Sequence, residues 1–403
     1  MKILQITAAY KKGSVGKISH SIHNYLLKNG EESFVCYGVE TQESKEKNEY
    51  QVCNKLLRGL NKIKYFLTGI CFNGSNISTG KIIKLISLKK PDIVHIHCMN
   101  DYYLNAKKLL EYLKKNNIKT MFTMHCEHYY TGSCGYALTC NKWKENGCDN
   151  DCPLFHREFK YLPLFDKTKT MFHRMDDAFK GFAPSNLMFC PCTPWLKGRL
   201  EQSKILSKFK NIEPVLNGAD EEIYHYYEAN RPKQKKVVLY VTPRFDDPVK
   251  GSYKINDIAK EFLDNDNVEF RLIGAVPTDF RFEKNIICLG IKTKAELAEE
   301  YSNADVTLLL SEAECFPMVC VESLLCGTKI VGFKCNGPDN CYSKSIASFV
   351  EQNDFKSMKT EINKFINENY SKQELSDYAK TIVSSKIMCE NYYNIYKRFL
   401  NLK

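Results

Sequence analysis

Short apolar runs alternate with amphipathic stretches along this chain, and they do so in two sets. In the first half, residues 2–7, 33–37, 92–97 and 119–124 are brief runs rich in Val, Ile, Phe and Met, which the pattern predicts as strands. Stretches such as Ile18 to Leu27 and Ala106 to Asn116 lie between them with apolar residues at helical spacing. Gly181-Phe-Ala-Pro-Ser185 marks a late strand and its loop, and Asn217-Gly218-Ala-Asp220 marks a turn. Glu228 to Lys236 is polar throughout and reads as a linker. The second set has strands at 237–241, 268–273, 286–289 and 305–310, with a helix over Lys294–Ser302. No internal repeat or low-complexity tract interrupts this order. Strand–helix alternation predicts parallel sheets covered on both faces, so the expected architecture is α/β, with two Rossmann-like, doubly wound domains facing across a cleft. Their expected limits are 1–225 and 226–385, followed by a terminal helix over 386–403.

The segment Ser311 to Thr328 carries the most chemistry. The strand before it ends at a loop holding Glu314. Pro317 then opens a helix that Gly327 stops, which puts Glu322 about two turns along it. Ligands bind open α/β sheets at the carboxyl ends of strands, and a helix N-terminus there suits a diphosphate. Two carboxylates beside it can accept hydrogen bonds from sugar hydroxyls. A second cluster, Val241-Thr-Pro-Arg244-Phe-Asp-Asp-Pro-Val-Lys250-Gly251, also follows a strand. Arg244 and Lys250 there could neutralise a departing diphosphate, Arg by bidentate contact and Lys as a compact charge. In the first half, the glycine-bearing loop Gly13-Ser-Val-Gly16 follows the first strand, while Pro91 to His97 and Thr120 to His125 are strands that end in histidine.

Glu314-Cys-Phe-Pro, Glu322-Ser-Leu-Leu-Cys-Gly327-Thr, Ile330-Val-Gly-Phe and Asn336-Gly337-Pro338 together resemble the donor-binding signature of family 4 glycosyltransferases, and the likeness runs from end to end. It implies the GT-B fold, with the C-terminal helix within Lys372–Leu400 crossing back onto the first domain. It also implies retaining transfer of a sugar from a UDP- or GDP-sugar to a saccharide or lipid-linked saccharide acceptor, without a catalytic metal. By that resemblance Arg244 and Lys250, followed by Gly251, clamp the donor phosphates. Glu314 holds sugar hydroxyls and Glu322 the ribose, while the backbone from Phe316 through Pro317 and Met318 to Val319 meets the phosphates. Gly16 permits close approach, and His125 matches the histidine of the family's "TLHD" strand. The Asp after that histidine is here Cys126, followed by Glu127 and His128. An inactive scaffold serving as a binding module, and a GT-B epimerase or phosphorylase, remain the alternatives, because fold alone does not choose chemistry.

Residues 126–153 form a third cluster, in which Cys134, Cys140, Cys148 and Cys152 are spaced C-x5-C-x7-C-x3-C within a polar loop of little apolar content. Such thiols could bind a structural zinc, stay free and redox-labile, or pair as disulfides. Zinc is the expectation for a reducing compartment, and the resemblance adds similar cysteine-bearing loops in capsule and exopolysaccharide transferases. The other thiols of the 18 read as small buried hydrophobes.

The net charge of +11 is confined to one half: residues 1–225 carry 33 Lys and Arg against 22 Asp and Glu, whereas the remainder balances. Within that half, Lys55, Arg58, Lys62 and Lys64 accompany leucines at helical spacing, a pattern that suits an anionic membrane surface or a solvated helix. No nucleic-acid module accompanies the charge. No apolar run approaches 18 residues and the start lacks the features of a signal peptide, so the expected location is cytoplasmic, peripheral at the inner membrane face.

Overall fold

The computed structural model describes residues 1–38, 46–155, 163–228 and 235–402. They form two compact units, one of Met1–Val215 with Cys389–Lys403 and the other of Leu216–Met388. The expected linker falls largely outside the described residues.

The first unit contains β1 (Lys2–Thr7), α1 (Gly13–Lys28), β2 (Glu32–Tyr37), β3 (Glu49–Gln51), α2 (Lys55–Thr68), α3 (Asn76–Lys89), β4 (Ile93–Ile96), α4 (Ala106–Lys115), β5 (Thr120–Met124), α5 (Thr168–Phe179), β6 (Leu187–Pro191) and α6 (Pro194–Gln202). Its strands form a parallel sheet in the order β3-β2-β1-β4-β5-β6. The strands at its centre are buried end to end, as expected of a sheet covered on both faces. The late strand lies at Leu187–Pro191, not at 181–185. Gly181, with φ of +82°, and Pro184, which opens a 3-10 turn, break the chain ahead of it.

The second unit contains β7 (Lys236–Val241), α7 (Ile255–Lys260), β8 (Val268–Ile273), β9 (Ile286–Gly290), α8 (Lys294–Asn303), β10 (Val306–Leu309), α9 (Met318–Leu325), β11 (Lys329–Phe333), β12 (Ala347–Val350), α10 (Phe355–Asn367) and α11 (Lys372–Val383). The sheet order β12-β11-β10-β7-β8-β9 repeats the first unit's winding. Each sheet therefore reverses direction beside its own first strand, between β1 and β4 and between β7 and β10. A crevice opens at such a point, outside the carboxyl ends of the strands.

Helix α12 (Ser385–Phe399) follows α11 after a break at Ser384, where Ala219 pairs with the chain. Its later part belongs to the first unit. There the Tyr396 hydroxyl meets His95 Nδ1 at 2.6 Å, the Tyr392 hydroxyl meets Thr123 Oγ1 at 2.9 Å, and the Tyr393 hydroxyl donates to Glu31 at 3.0 Å. Among the described residues, no helix is long and apolar enough to cross a membrane.

Candidate functional site

At the reversal point of the second sheet, Lys250 follows β7 and Glu314 follows β10. These strands are direct neighbours, and Lys250 Nζ lies 2.6 Å from Glu314 Oε1. Gly251 makes this approach possible: its φ is +61°, and a Cβ there would lie 2.2 Å from the Leu310 carbonyl oxygen. The Ser311 hydroxyl donates to the same Glu314 oxygen at 2.9 Å, and the Tyr240 hydroxyl donates to the Lys250 carbonyl at 3.1 Å. Burial alone would lower the Lys250 pKa. The charge of Glu314 and its hydrogen bond outweigh that effect and hold the ammonium above its usual value.

Beyond Glu314 the chain passes through buried Phe316, which stacks on Tyr342 at 6.0 Å, and enters α9 at Met318. Pro317 occupies the N-cap position and supplies no side-chain cap; the Cys320 amide donates to the Pro317 carbonyl at 3.2 Å, which leaves the Met318 and Val319 amides as the first-turn groups suited to an outside acceptor. Glu322 lies further along this helix, where it accepts from the Tyr301 hydroxyl at 3.3 Å. Arg244 does not join the Lys250–Glu314 pair. Its side chain is 43% exposed and lies 3.4 Å from Asp246.

The first unit's reversal point is lined by buried histidines that burial keeps uncharged. His95 is held between Tyr396 and Thr123, and its ring lies 4.0 Å from that of His97. His97 bonds Gln5 Oε1 at 2.9 Å, which also accepts from Ser19 at 3.0 Å. His125 follows β5 and stacks on His97 at 6.0 Å, and its Nε2 is buried with no hydrogen-bond partner. Burial lowers its pKa to about 4, so the imidazole is uncharged at neutral pH. Gly16 does not sit in a loop as expected. It lies in the first turn of α1, where a Cβ would come within 2.9 Å of the Ala9 carbonyl oxygen, so the close approach is made by the chain's own 8–11 segment.

Sequence reasoning missed Glu127. This residue, fully buried next to Cys126, accepts from Arg199 Nε at 2.8 Å, the Tyr130 hydroxyl at 2.9 Å and the Ala137 amide at 2.7 Å. Arg199 in turn lies over the rings of Trp143 and Trp195 at 4.4 and 5.3 Å. An acidic residue straight after an apolar strand, with arginine and tryptophan on a later helix, was the available signal. This pair and the buried Trp143 give the cysteine loop a core, contrary to its apolar-poor composition.

Cys134, Cys140, Cys148 and Cys152 line one cavity of about 10 Å³ against Trp143 and Thr168. The Gly132 amide donates to Cys148 Sγ at 3.1 Å, and all 18 thiols are free of disulfides. As they stand, no three His, Cys, Asp or Glu side chains among the described residues form a group that could hold a metal.

The family described as Glycosyl transferases group 1 matches residues 227–382, which includes Arg244, Lys250, Glu314 and Glu322. WcaC of Escherichia coli (strain K12), assigned to colanic acid biosynthesis as a glycosyl transferase, is 20% identical across 98% of this chain and all of that protein. N-acetyl-alpha-D-glucosaminyl L-malate synthase of Bacillus anthracis is 27% identical over 34% of this chain and 39% of its own length. The Anabaena protein HepE, solved with UDP-glucose, superposes with a TM-score of 0.63 at 13% identity, covering 99% of this chain and 100% of that one, which shows a shared fold. The segment 227–382 is therefore a domain of the glycosyl transferases group 1 family, and the chain is a glycosyltransferase of GT-B fold.

Proposed function

We propose that the chain moves a glycosyl group from a nucleoside-diphosphate sugar to a hydroxyl of a saccharide or lipid-linked saccharide during surface polysaccharide assembly, with retention at the anomeric carbon. The observation that carries this reading is the Lys250–Glu314 pair at a sheet reversal point, beside a helix start without a side-chain cap. The bond from the anomeric carbon to the diphosphate breaks as the acceptor oxygen bonds to that carbon. The nucleoside diphosphate leaves with the electron pair, and the acceptor proton is released. Lys250 meets the charge that develops on the diphosphate, and the exposed Arg244 swings in to share it. Glu314 then turns to hydroxyls of the sugar, and Glu322 to the ribose. His125 Nε2, buried and unpartnered, is offered to the sugar as an uncharged hydrogen-bonding group. Retention follows from the family resemblance.

Uridine is the favoured base, since HepE was solved with UDP-glucose and with UDP. WcaC supports a polysaccharide product, and the reaction then belongs at the cytoplasmic face of a membrane. The cysteine spacing is what supports a structural zinc, separate from the transfer chemistry; the four thiols line one cavity but as they stand form no metal-holding group, so they would have to close on the ion. The test is a thermal-shift screen with UDP, GDP and their common sugars, followed by product analysis. A donor should stabilise the fold by mass action. No stabilisation by any nucleotide, with no nucleoside diphosphate released, refutes the reading.

A further inference from the structure

Helix α2 presents its apolar face outward. Leu56, Leu60, Ile63 and Leu67 recur at the spacing of one helix face, which in a folded domain ordinarily packs inward. Here they are 74%, 55%, 57% and 53% exposed. The buried residue of the helix is Tyr65, which by helical geometry lies on the opposite side and rests against Tyr102 at 5.2 Å. That inner side is fastened by polar contacts: Arg58 pairs with Asp101, and Asn61 Nδ2 donates to the Tyr102 carbonyl at 2.9 Å. Phe66 flanks the stripe. Exposed Leu164 and Phe165 lie alongside, with the Leu164 amide donating to the Phe66 carbonyl at 2.9 Å. Of fifteen large apolar side chains that are exposed among the described residues, seven fall in these two segments. Scattered exposed leucines need no explanation, but a cluster of this kind marks a surface that something covers.

Charge decides what covers it. At 100° per residue, exposed Lys64 falls on one flank of the stripe and exposed Lys55 on the other, while Lys62 is half-buried and turned toward the Tyr65 side. Contact with a second copy through a two-fold axis would set this face, lysines included, against itself. An anionic bilayer instead offers acyl chains to the stripe and headgroups to its flanks, the arrangement of an interfacial helix. The positive excess of residues 1–225 acts in the same direction. Arg58, one of the four cations expected to take part, is neutralised by Asp101 and is not counted.

We propose that α2, together with Leu164 and Phe165, docks the enzyme on an anionic phospholipid membrane, the apolar stripe entering the headgroup–acyl boundary and the lysines meeting phosphates. Its purpose rests on the lipid-linked acceptor proposed above, since a chain held there meets that acceptor in two dimensions.

The full chain is sedimented with vesicles of phosphatidylglycerol mixed with phosphatidylcholine, and with phosphatidylcholine alone, without any glycan acceptor. Wild-type protein should bind the mixed vesicles. Leu60→Ser with Ile63→Ser should lower the partition coefficient about a hundredfold, roughly tenfold for each apolar side chain withheld from the acyl region. Lys55→Gln with Lys64→Gln should lower it about twentyfold on anionic vesicles, and little on neutral ones. All four positions lie on the helix surface, so thermal unfolding and transfer to a soluble saccharide should match wild type. Failure of the wild-type chain to bind, or undiminished binding of the apolar double variant, overturns the proposal. Light scattering that shows a wild-type dimer and a monomeric apolar variant overturns it in favour of self-association. Vesicle binding by a chain that transfers no sugar would leave docking standing and strike down the catalytic reading alone.

Discussion

Removing either partner of the Lys250–Glu314 pair should abolish most transfer, but the two losses should differ sharply in stability. The Glu314 side chain is 6% exposed and the Lys250 side chain 32%. In Lys250→Ala the carboxylate is left buried, with the Ser311 hydroxyl at 2.9 Å as its remaining side-chain donor. Breaking a fully buried ion pair costs about 3–5 kcal/mol, and the partial exposure of Lys250 reduces this to about 2–3 kcal/mol. For a unit of this size that is a fall in Tm of about 5–10 °C. In Glu314→Ala the ammonium left behind already reaches water, so the loss should be about 1 kcal/mol, or roughly 2–4 °C. The double variant leaves no unpaired buried charge and should unfold above the Lys250→Ala protein. That ordering is a signature of coupling. Activity should fall in all three, because charge-assisted contacts made mainly in the transition state are worth about 2–4 kcal/mol, or tens to several hundredfold in rate. Calorimetry gives the three Tm values, and release of nucleoside diphosphate gives the rates. Equal destabilisation by the two single substitutions would refute the burial argument, and full activity in either would remove these residues from the site.

Glu322→Ala should raise the donor KM more than it lowers kcat, as measured by steady-state kinetics on the nucleotide sugar identified. Glu127→Ala should loosen the cysteine loop: it strips a buried charge from Arg199, a loss of about 3–5 kcal/mol, read as a lower Tm and earlier proteolysis within residues 126–155. Protein purified under reducing conditions without chelator should carry about one zinc per chain by elemental analysis, and Cys148→Ser should lose it while donor binding persists. The depressed pKa of His125, about 4 in the fold against 6.5 unfolded, means that the unfolded chain takes up the proton first. Its contribution to stability is present above about pH 6.5 and declines by about 1.4 kcal/mol per unit as pH falls toward 4. His125→Asn should flatten that part of the stability curve, as followed by denaturant titration at each pH.

Much of the fold was legible because its strands are buried on both faces and read as short apolar runs. Val94 and Leu308 could not have belonged to solvent-facing elements. The places where the reading slipped were governed by long-range contacts. The pattern places the late strand six residues too early because Gly181 and Pro184 look like the end of an element, whereas they precede Leu187–Pro191, whose place is fixed by pairing with β5. Glu127 was passed over since its partner, Arg199, is 72 residues away, and no local spacing reveals a buried pair of that separation. Helix α2 was legible as amphipathic, but its direction was not. Periodicity shows that an apolar face exists, and Tyr65, Asn61 and Arg58 decide that it points outward.

The two reversal points share one winding and differ in electrostatics, and the difference suits the two ends of the proposed reaction. The second unit supplies an ammonium whose pKa is held up by a neighbouring carboxylate, so Lys250 is charged whenever a diphosphate arrives. On the proposed reading, a phosphate that takes the ammonium would leave Glu314 short of a partner and ready to accept from a hydroxyl, so the exchange that binds the donor would prepare the carboxylate for the sugar. The first unit supplies His95, His97 and His125, whose pKa values burial depresses, so none adds charge there at neutral pH. A neutral ring can only hydrogen-bond, which suits it to a sugar. A substitution that charges the first site, such as His97→Lys, should therefore weaken sugar transfer more than binding of the bare nucleoside diphosphate, and equal losses in the two assays would contradict this division of labour.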